Sequence, residues 1–262
     1  MKIFRYAILL FAVFCLAFIF SGSLSFWRMT TPSSAANNQA AEEPAKTDWL
    51  TKADRLIFLR QAAKTAVSKH VAKEDYVTSD NIPDNLKQAV VAVEDSRFYE
   101  HHGIDFTGIV RASLVNLQSG QIEEGASTIT QQLVKNLFLT SDQTFSRKAE
   151  EVLLALDFEL RYSKDEILEL YLNTIYFGSD FYGIRQASRG YFGKEPKELE
   201  LPESTMLAGL PNAPSLYSPY VDFMLAKKRQ FIVIDAMQNN GYISKDIAES
   251  AKIQPLYLAQ EK

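Results

Sequence analysis

The sequence is poor in residues that form disulfides or bind transition metals, with one cysteine and three histidines among 262 residues. Cys15 lies in an apolar run near the N-terminus, which excludes an intramolecular disulfide and leaves no thiol in the rest of the chain for catalysis or metal binding. The histidines, His70, His101 and His102, are too few and too poorly spaced to suggest a zinc site. The sequence therefore gives no indication of a thiol enzyme or a zinc enzyme.

An excess of positive charge and a strand-like pattern are also missing. The chain has 28 Lys and Arg against 32 Asp and Glu, a net charge of -4, so nucleic acid is not expected as a partner. No alternating run of β-branched residues reaches the length of a strand, and the predicted class is therefore all-α. With 47% hydrophobic and 23% charged residues, the chain can bury a core.

The N-terminus carries a long uncharged segment. Lys2 and Arg5 precede the run from Tyr6 to Trp27, which as a helix would be roughly 33 Å long, enough to cross a bilayer. We predict an uncleaved transmembrane anchor whose N-terminus is cytoplasmic. The alternative is a cleaved signal peptide, although the small residues that could be cleaved, Ala35 and Ala36, lie well past the apolar run.

The rest of the chain is expected to lie outside the cytoplasm. We assign residues 1–29 to the cytoplasmic tip and anchor. Residues 30–47, rich in Ala, Asn, Pro, Ser and Glu, are assigned to a flexible linker. Residues 48–262 form one predicted folded domain.

A capping box marks the start of a helix in the middle of the chain. Thr128 is followed three residues later by Gln131, and Gly125 allows the preceding backbone to turn sharply. The polar face of this helix carries Thr128, Gln131, Gln132, Lys135 and Asn136. Amides, hydroxyls and one cation near a helix N-terminus suit a bound anion, whereas the plainer interpretation is a well-capped surface helix.

Two glutamates are candidates for catalysis. Glu94 is predicted to end a helix in which Pro83 is a first-turn residue, where the helix dipole and the neighbouring Asp95 would raise the pKa of its carboxyl toward that of a general base. The alternative is an exposed acidic pair beside Arg97.

The second candidate is Glu151. It shares a helix face with Leu154, Ala155 and Phe158, which predicts a buried carboxylate with Arg147 as its partner one turn earlier. A structural ion pair and an active-site role are equally consistent with this spacing. Between the two candidates, the apolar stretch 104–117 is either a membrane-contacting flap or a core helix, and the sequence does not separate these.

Four motifs follow one another along the chain. The first motif consists of Glu94, Asp95, Phe98, His101 and Gly103. The second is Gly125 to Asn136, and the third is Arg147, Lys148 and Glu151. The fourth is Lys164, Ile167, Tyr171 and Asn173. Together these motifs resemble those of the peptidoglycan glycosyltransferase family, the lysozyme-like enzymes that polymerise lipid II. The resemblance runs from about residue 81 to residue 244.

The sequence departs from the family pattern at two places. A fifth motif is only partly kept, as Arg229, Val233, Ile234 and Met237. Many relatives have an Arg-Ser pair where this chain has Gln143 and Thr144. One cation commonly found near the substrate is therefore missing, which bears on how strongly the pyrophosphate is held.

The resemblance implies a role for each charged residue. Glu94 would be the general base that takes the proton from the acceptor 4-hydroxyl, and the attack would invert the donor to give a β-1,4 link. Lys135, Arg147 and Lys148 would neutralise the departing pyrophosphate. Glu151 would order those cations or help to hold a divalent metal, Mg or Mn. Further substrate contacts are expected from Asp95, Phe98, His101, Gly103, Ser127, Thr130, Gln131, Gln132, Asn136, Lys164, Tyr171 and Asn173.

The resemblance also implies the setting of the enzyme: the plasma membrane of a bacterium, with lipid II, the growing glycan strand and other wall-synthesis proteins as partners. Because the sequence has no Ser-x-x-Lys or Lys-Thr-Gly of a transpeptidase, we expect a monofunctional enzyme. One alternative is a muramidase or lytic transglycosylase, although cleavage requires no cationic pyrophosphate site. Another is an inactive membrane-anchored scaffold.

Overall fold

The computed structural model describes residues 57–120, 125–140 and 144–259. The predicted anchor, the predicted linker and Gln143 lie outside these ranges. Within them, none of the helices combines the length and the apolar character needed to cross a membrane.

The described residues form helices joined by short connections. The α-helices are α1 Leu59–His70, α2 Asp84–Glu94, α3 Phe106–Ser119, α4 Ile129–Phe138, α5 Phe145–Arg161, α6 Lys164–Thr174, α7 Gly183–Phe192, α8 Leu201–Gly209, α9 Pro214–Tyr217, α10 Phe223–Asn239 and α11 Lys245–Ile253. Short 3-10 turns cover Ser79–Asn81, Pro196–Glu198 and Leu210–Asn212. In the described part of the chain, β pairing is limited to an isolated bridge between Tyr176 and Tyr182, so the all-α prediction is confirmed.

Side-chain caps fix where several helices begin. Thr128 and Gln131 form the predicted capping box before α4. Ser163 and Glu166 do the same before α6. Pro83 occupies the N-cap of α2, one position before the predicted first turn. These local signals were readable from the sequence because capping contacts join residues only three positions apart.

The chain divides into two compact units. One includes Asp105–Ser127, and the other is made of Ala53–Ile104 and Thr128–Lys262. In the second unit, α8 packs against α2 and α10, while α4 packs against α5 and α6. The core between these helices contains large buried side chains such as Tyr171, Tyr191, Phe98, Phe158 and Phe177.

Helix α3 belongs to the first unit and exposes most of its large apolar side chains. Phe106, Val110, Leu114 and Leu117 are all exposed, and the buried residues of the helix are Gly108 and Ala112. This pattern argues against a core helix. The membrane-contacting flap remains a prediction.

Candidate active site

Glu94, the last residue of α2, carries a buried carboxylate with one hydrogen-bonded and one unpaired oxygen. Its side chain is only 7% exposed. The Oε2 atom accepts a hydrogen bond of 2.9 Å from Nε2 of Gln132, whereas Oε1 has no hydrogen-bond partner among the described residues. The interpretation of Glu94 as part of an exposed acidic pair is therefore wrong.

Burial is the main cause of an elevated pKa at Glu94. Removal of the carboxylate from water raises its pKa, the hydrogen bond from Gln132 and the charge of Arg229 lower it, and the charge of Asp95 raises it by a smaller amount. The predicted direction is confirmed, but its predicted cause is not, because Asp95 is the smallest contributor and desolvation the largest. The local sequence around Glu94 did not predict that the end of α2 is buried inside the protein.

The amide of Gln132 is oriented by a buried tyrosine. The hydroxyl of Tyr171 donates a 3.0 Å hydrogen bond to Oε1 of Gln132, which turns the amide nitrogen toward Glu94. Tyr171 is fully buried, and burial followed by the charges of Glu94 and Asp95 raises the pKa of its phenol well above 10.0. The phenol therefore stays a neutral donor, and α2, α4 and α6 are joined through one polar chain.

Asp95 connects the end of α2 to the beginning of α4. Its Oδ2 accepts a 3.0 Å hydrogen bond from the backbone N–H of Ile129, the first residue of α4. Its Oδ1 lies 2.9 Å from Nε2 of His101, and both side chains are almost completely buried. The carboxylate thus satisfies one of the free amides at the helix start, and it fixes Glu94 relative to α4.

Gly103 and Gln131 contribute to the same connection. The hydroxyl of Thr128 donates to the carbonyl of Gly103 at 2.8 Å, and the N–H of Thr128 donates to the side-chain oxygen of Gln131 at 3.0 Å. Gly103 has φ +85°, and a Cβ there would come within 2.9 Å of the Ala155 carbonyl oxygen. Glycine is therefore required by both backbone conformation and space. The predicted substrate contacts of both residues remain predictions.

Another buried polar cluster lies around Glu159, a residue without a predicted role. Its Oε1 accepts 2.5 Å and 2.8 Å hydrogen bonds from Thr130 and Lys164, and the Lys164 ammonium lies 4.5 Å from the centre of the Phe98 ring. The spacing of Glu159 from Glu151, eight residues on one helix, could have indicated a second carboxylate facing inward. These contacts give Thr130, Lys164 and Phe98 structural roles.

Asn173 also has its polar atoms used within the fold. Its side-chain oxygen accepts a 2.7 Å hydrogen bond from the Val77 N–H, and its nitrogen donates at 2.8 Å to the carbonyl oxygens of Val77 and Glu169. The side chain is fully buried. It holds the segment that follows α1 against α6.

The first turns of α5 hold two cations on one buried carboxylate. Glu151 is 2% exposed, its Oε2 accepts a 2.9 Å hydrogen bond from Arg147 Nη1, and its Oε1 accepts one from Lys148. The predicted burial and the predicted Arg147 partner are confirmed. Arg147 Nε is buried and has no hydrogen-bond partner among the described residues.

A divalent metal does not fit this carboxylate. Both oxygens of Glu151 are paired with side-chain cations, and a metal would have to displace them. No group of three or more potential metal ligands occurs within the described ranges. Of the two roles left open for Glu151, the geometry favours the ordering of Arg147 and Lys148.

Three predicted contact residues are exposed, and the structure gives each a different setting. Lys135 lies on α4 one turn after Gln132, and Asn136 follows it. Ser127 belongs to the other compact unit. Within the second unit the structure thus brings together Glu94, Gln132 and Tyr171, and separately Arg147, Lys148 and Glu151. Helix α4 packs against the helices that carry Tyr171 and Arg147.

The family model described as Transglycosylase matches residues 61–238. A protein of Cupriavidus necator that is named as a transglycosylase is 48% identical over 184 residues, which are 70% of this chain and 79% of that protein.

Longer relatives match the same part of the chain. Penicillin-binding protein 1F of Bacillus subtilis is 45% identical over 77% of this chain and 28% of its own length. Penicillin-binding protein 1A of Escherichia coli is 47% identical over 69% of this chain and 21% of its own length. The chain therefore spans only about a quarter of these two relatives.

Proposed function

Because the chain belongs to the transglycosylase family, we propose that it is a peptidoglycan glycosyltransferase that polymerises lipid II into β-1,4-linked glycan strands. Each turnover would join a donor to an acceptor with inversion at the donor carbon and release undecaprenyl pyrophosphate. The proposal covers the glycosyltransferase reaction alone.

One observation supports this function more than any other: Glu94 is a buried carboxylate of raised pKa with one oxygen hydrogen-bonded and the other unpaired. The Oε2 atom of Glu94 is fixed by Gln132, and its Oε1 atom has no hydrogen-bond donor among the described residues. A general base needs a fixed position and an accepting lone pair, and its pKa should lie near the working pH. Glu94 would take the proton of the acceptor 4-hydroxyl at Oε1.

The cations on α4 and α5 would stabilise the leaving group. In the transition state, negative charge grows on the departing pyrophosphate, and fixed cations in a partly dry site stabilise it without reorganisation. Arg147 and Lys148 are held by Glu151, and Lys135 projects from the helix that also carries Gln132. The exposed side chains Ser127 and Asn136 would add neutral hydrogen bonds to sugar or phosphate.

The membrane setting of the enzyme is also part of the proposal. The apolar run from Tyr6 to Trp27 would anchor the chain, and the exposed apolar side chains of α3 would contact the membrane in which lipid II resides. The catalytic domain would lie on the extracytoplasmic side of a bacterial plasma membrane, where the growing strand and other wall-synthesis proteins are found.

A glycan-cleaving enzyme is the alternative, since a raised pKa at Glu94 would also suit a general acid. Cleavage commonly uses a second carboxylate, and both oxygens of the neighbouring Asp95 are engaged by His101 and the Ile129 amide. We expect purified protein to convert lipid II into polymer and to leave finished glycan strands intact. Shortening of the strands without polymerisation would overturn the proposal.

A further inference from the structure

Arg229 on α10 lies beside the unpaired oxygen of Glu94. The sequence places this arginine in the partly kept fifth motif but gives it no role. Its Nη2 is 3.7 Å from Oε1 of Glu94. The two side chains are only 13% and 7% exposed, so water screens their interaction weakly. At this distance the contact is an ion pair without a hydrogen bond, and Oε1 keeps its lone pairs for a substrate proton.

The position of Arg229 is fixed by residues of two neighbouring helices, α8 and α9. Its Nε donates a 3.2 Å hydrogen bond to the carbonyl of Gly209 at the end of α8. Its guanidinium carbon lies 5.7 Å from the centre of the Tyr217 ring on α9. A Cβ at Gly209 would come within 2.9 Å of Cγ of Arg229, so the absence of a side chain there leaves room for the arginine stem.

The other titratable groups around Glu94 do not replace this charge. Asp95 at the end of α2 is negative and opposes ionisation of Glu94. Tyr171 on α6 remains neutral because the pKa of its phenol is raised well above 10.0. On α8, Glu203 is paired with Lys194, and on α4, Lys135 is exposed to solvent. Arg229 is the cation whose charge acts on Glu94.

We propose that Arg229 is a positioning residue that keeps the Glu94 carboxylate ionised and directed toward the acceptor while leaving its Oε1 free to take the proton. This inference rests on the proposed function of Glu94 as the base. In the reaction, the acceptor O–H bond breaks as its oxygen bonds the donor carbon, the bond from that carbon to the pyrophosphate breaks, and Oε1 receives the proton. The charge of Arg229 then favours release of that proton to solvent, which restores the base.

The test is the pH profile of lipid II polymerisation for Arg229→Met, with Arg229→Lys as the charge-retaining variant. In the Met variant the acid limb of kcat/KM should move upward by about one pH unit, with activity recovered at high pH. The Lys variant should move less. Arg189→Met is the matched control, since Arg189 is an exposed arginine paired with Glu195 and should leave the profile unchanged. An equal loss of activity at every pH, or an unshifted limb, would overturn the proposal.

Direct titration separates this inference from the proposed function. The ionisation of the Glu94 carboxyl, followed by carbon NMR in the unliganded protein, should move to higher pH in Arg229→Met whether or not the protein polymerises lipid II. Gly209→Ala, which crowds the arginine stem but keeps the charge, should cause a smaller move in the same direction. An unchanged titration in both variants would refute the role of Arg229, whereas a wild-type protein that fails to polymerise lipid II would refute the proposed function alone.

Discussion

Among single residues, Glu94 shows a conflict between function and stability. A carboxylate with a raised pKa is more readily protonated in the folded protein than in the unfolded chain. Its contribution to stability is therefore fully present below its unfolded pKa and is lost as the pH rises through its folded pKa. The burial that suits Glu94 for proton abstraction thus weakens the fold at neutral pH.

Glu94→Gln should stabilise the protein at neutral pH because it removes a buried charge and can keep the contact to Gln132. We expect the free energy of unfolding to rise by about 0.5–2 kcal/mol at pH 8, and the gain to disappear as the pH falls below about 4. Urea unfolding of the variant and the wild-type protein between pH 8 and about pH 4 measures this difference in the free energy of unfolding. Glu100→Gln changes an exposed carboxylate and should have almost no effect. A loss of stability in Glu94→Gln at pH 8 would contradict this account.

Residue roles that depend on distant partners could not be predicted from the sequence. The sequence placed Glu94 at a helix end and Glu151 on an inward face, because both follow from helical spacing. It did not show that Asn173 binds Val77, 96 residues away, or that Arg229 faces Glu94. Such contacts arise from the packing of helices, which local spacing does not specify.

Among the helices, α4 holds Glu94 through Gln132 and packs against α5, the helix that carries Arg147 and Glu151. Its first residue is held by Asp95, its inward polar residue Gln132 holds Glu94, and Lys135 follows one turn later. The capping box was predictable because it is local. The sequence did not predict which residues of the polar face are buried: Gln131 is buried and caps the helix, whereas Lys135 is exposed.

The exposed cation of α4 provides a test of the anion site. Lys135→Ala should raise the KM for lipid II about ten-fold or more, because the substrate pyrophosphate would lose one charge-assisted contact worth about 1.5–3 kcal/mol. Lys69→Ala on α1 removes an exposed lysine from a helix outside the candidate site and serves as the control. Steady-state kinetics with lipid II compare the two. Equal KM values for both variants would count against an anion site at Lys135.

At the scale of the whole molecule, the structure combines a well-packed helical unit with an exposed apolar helix. The unit that contains Glu94 and Glu151 has a continuous core. Glu94 is held by Gln132 of another helix, and Glu151 by Arg147 and Lys148 of its own helix. Helix α3 in the other unit exposes Val110, Leu114 and Leu117. The all-α class followed from the sequence, whereas the division into two units did not, because it depends on contacts between distant segments.

The central claim is that Glu94 is the base of a lipid II polymerase, and the most direct measurement is polymer formation from lipid II by Glu94→Gln. We expect its rate to fall by about two orders of magnitude or more, with the fold and lipid II binding preserved. Glu100→Gln, assayed in parallel, should retain the wild-type rate. Polymer formation by Glu94→Gln at the wild-type rate would contradict the account.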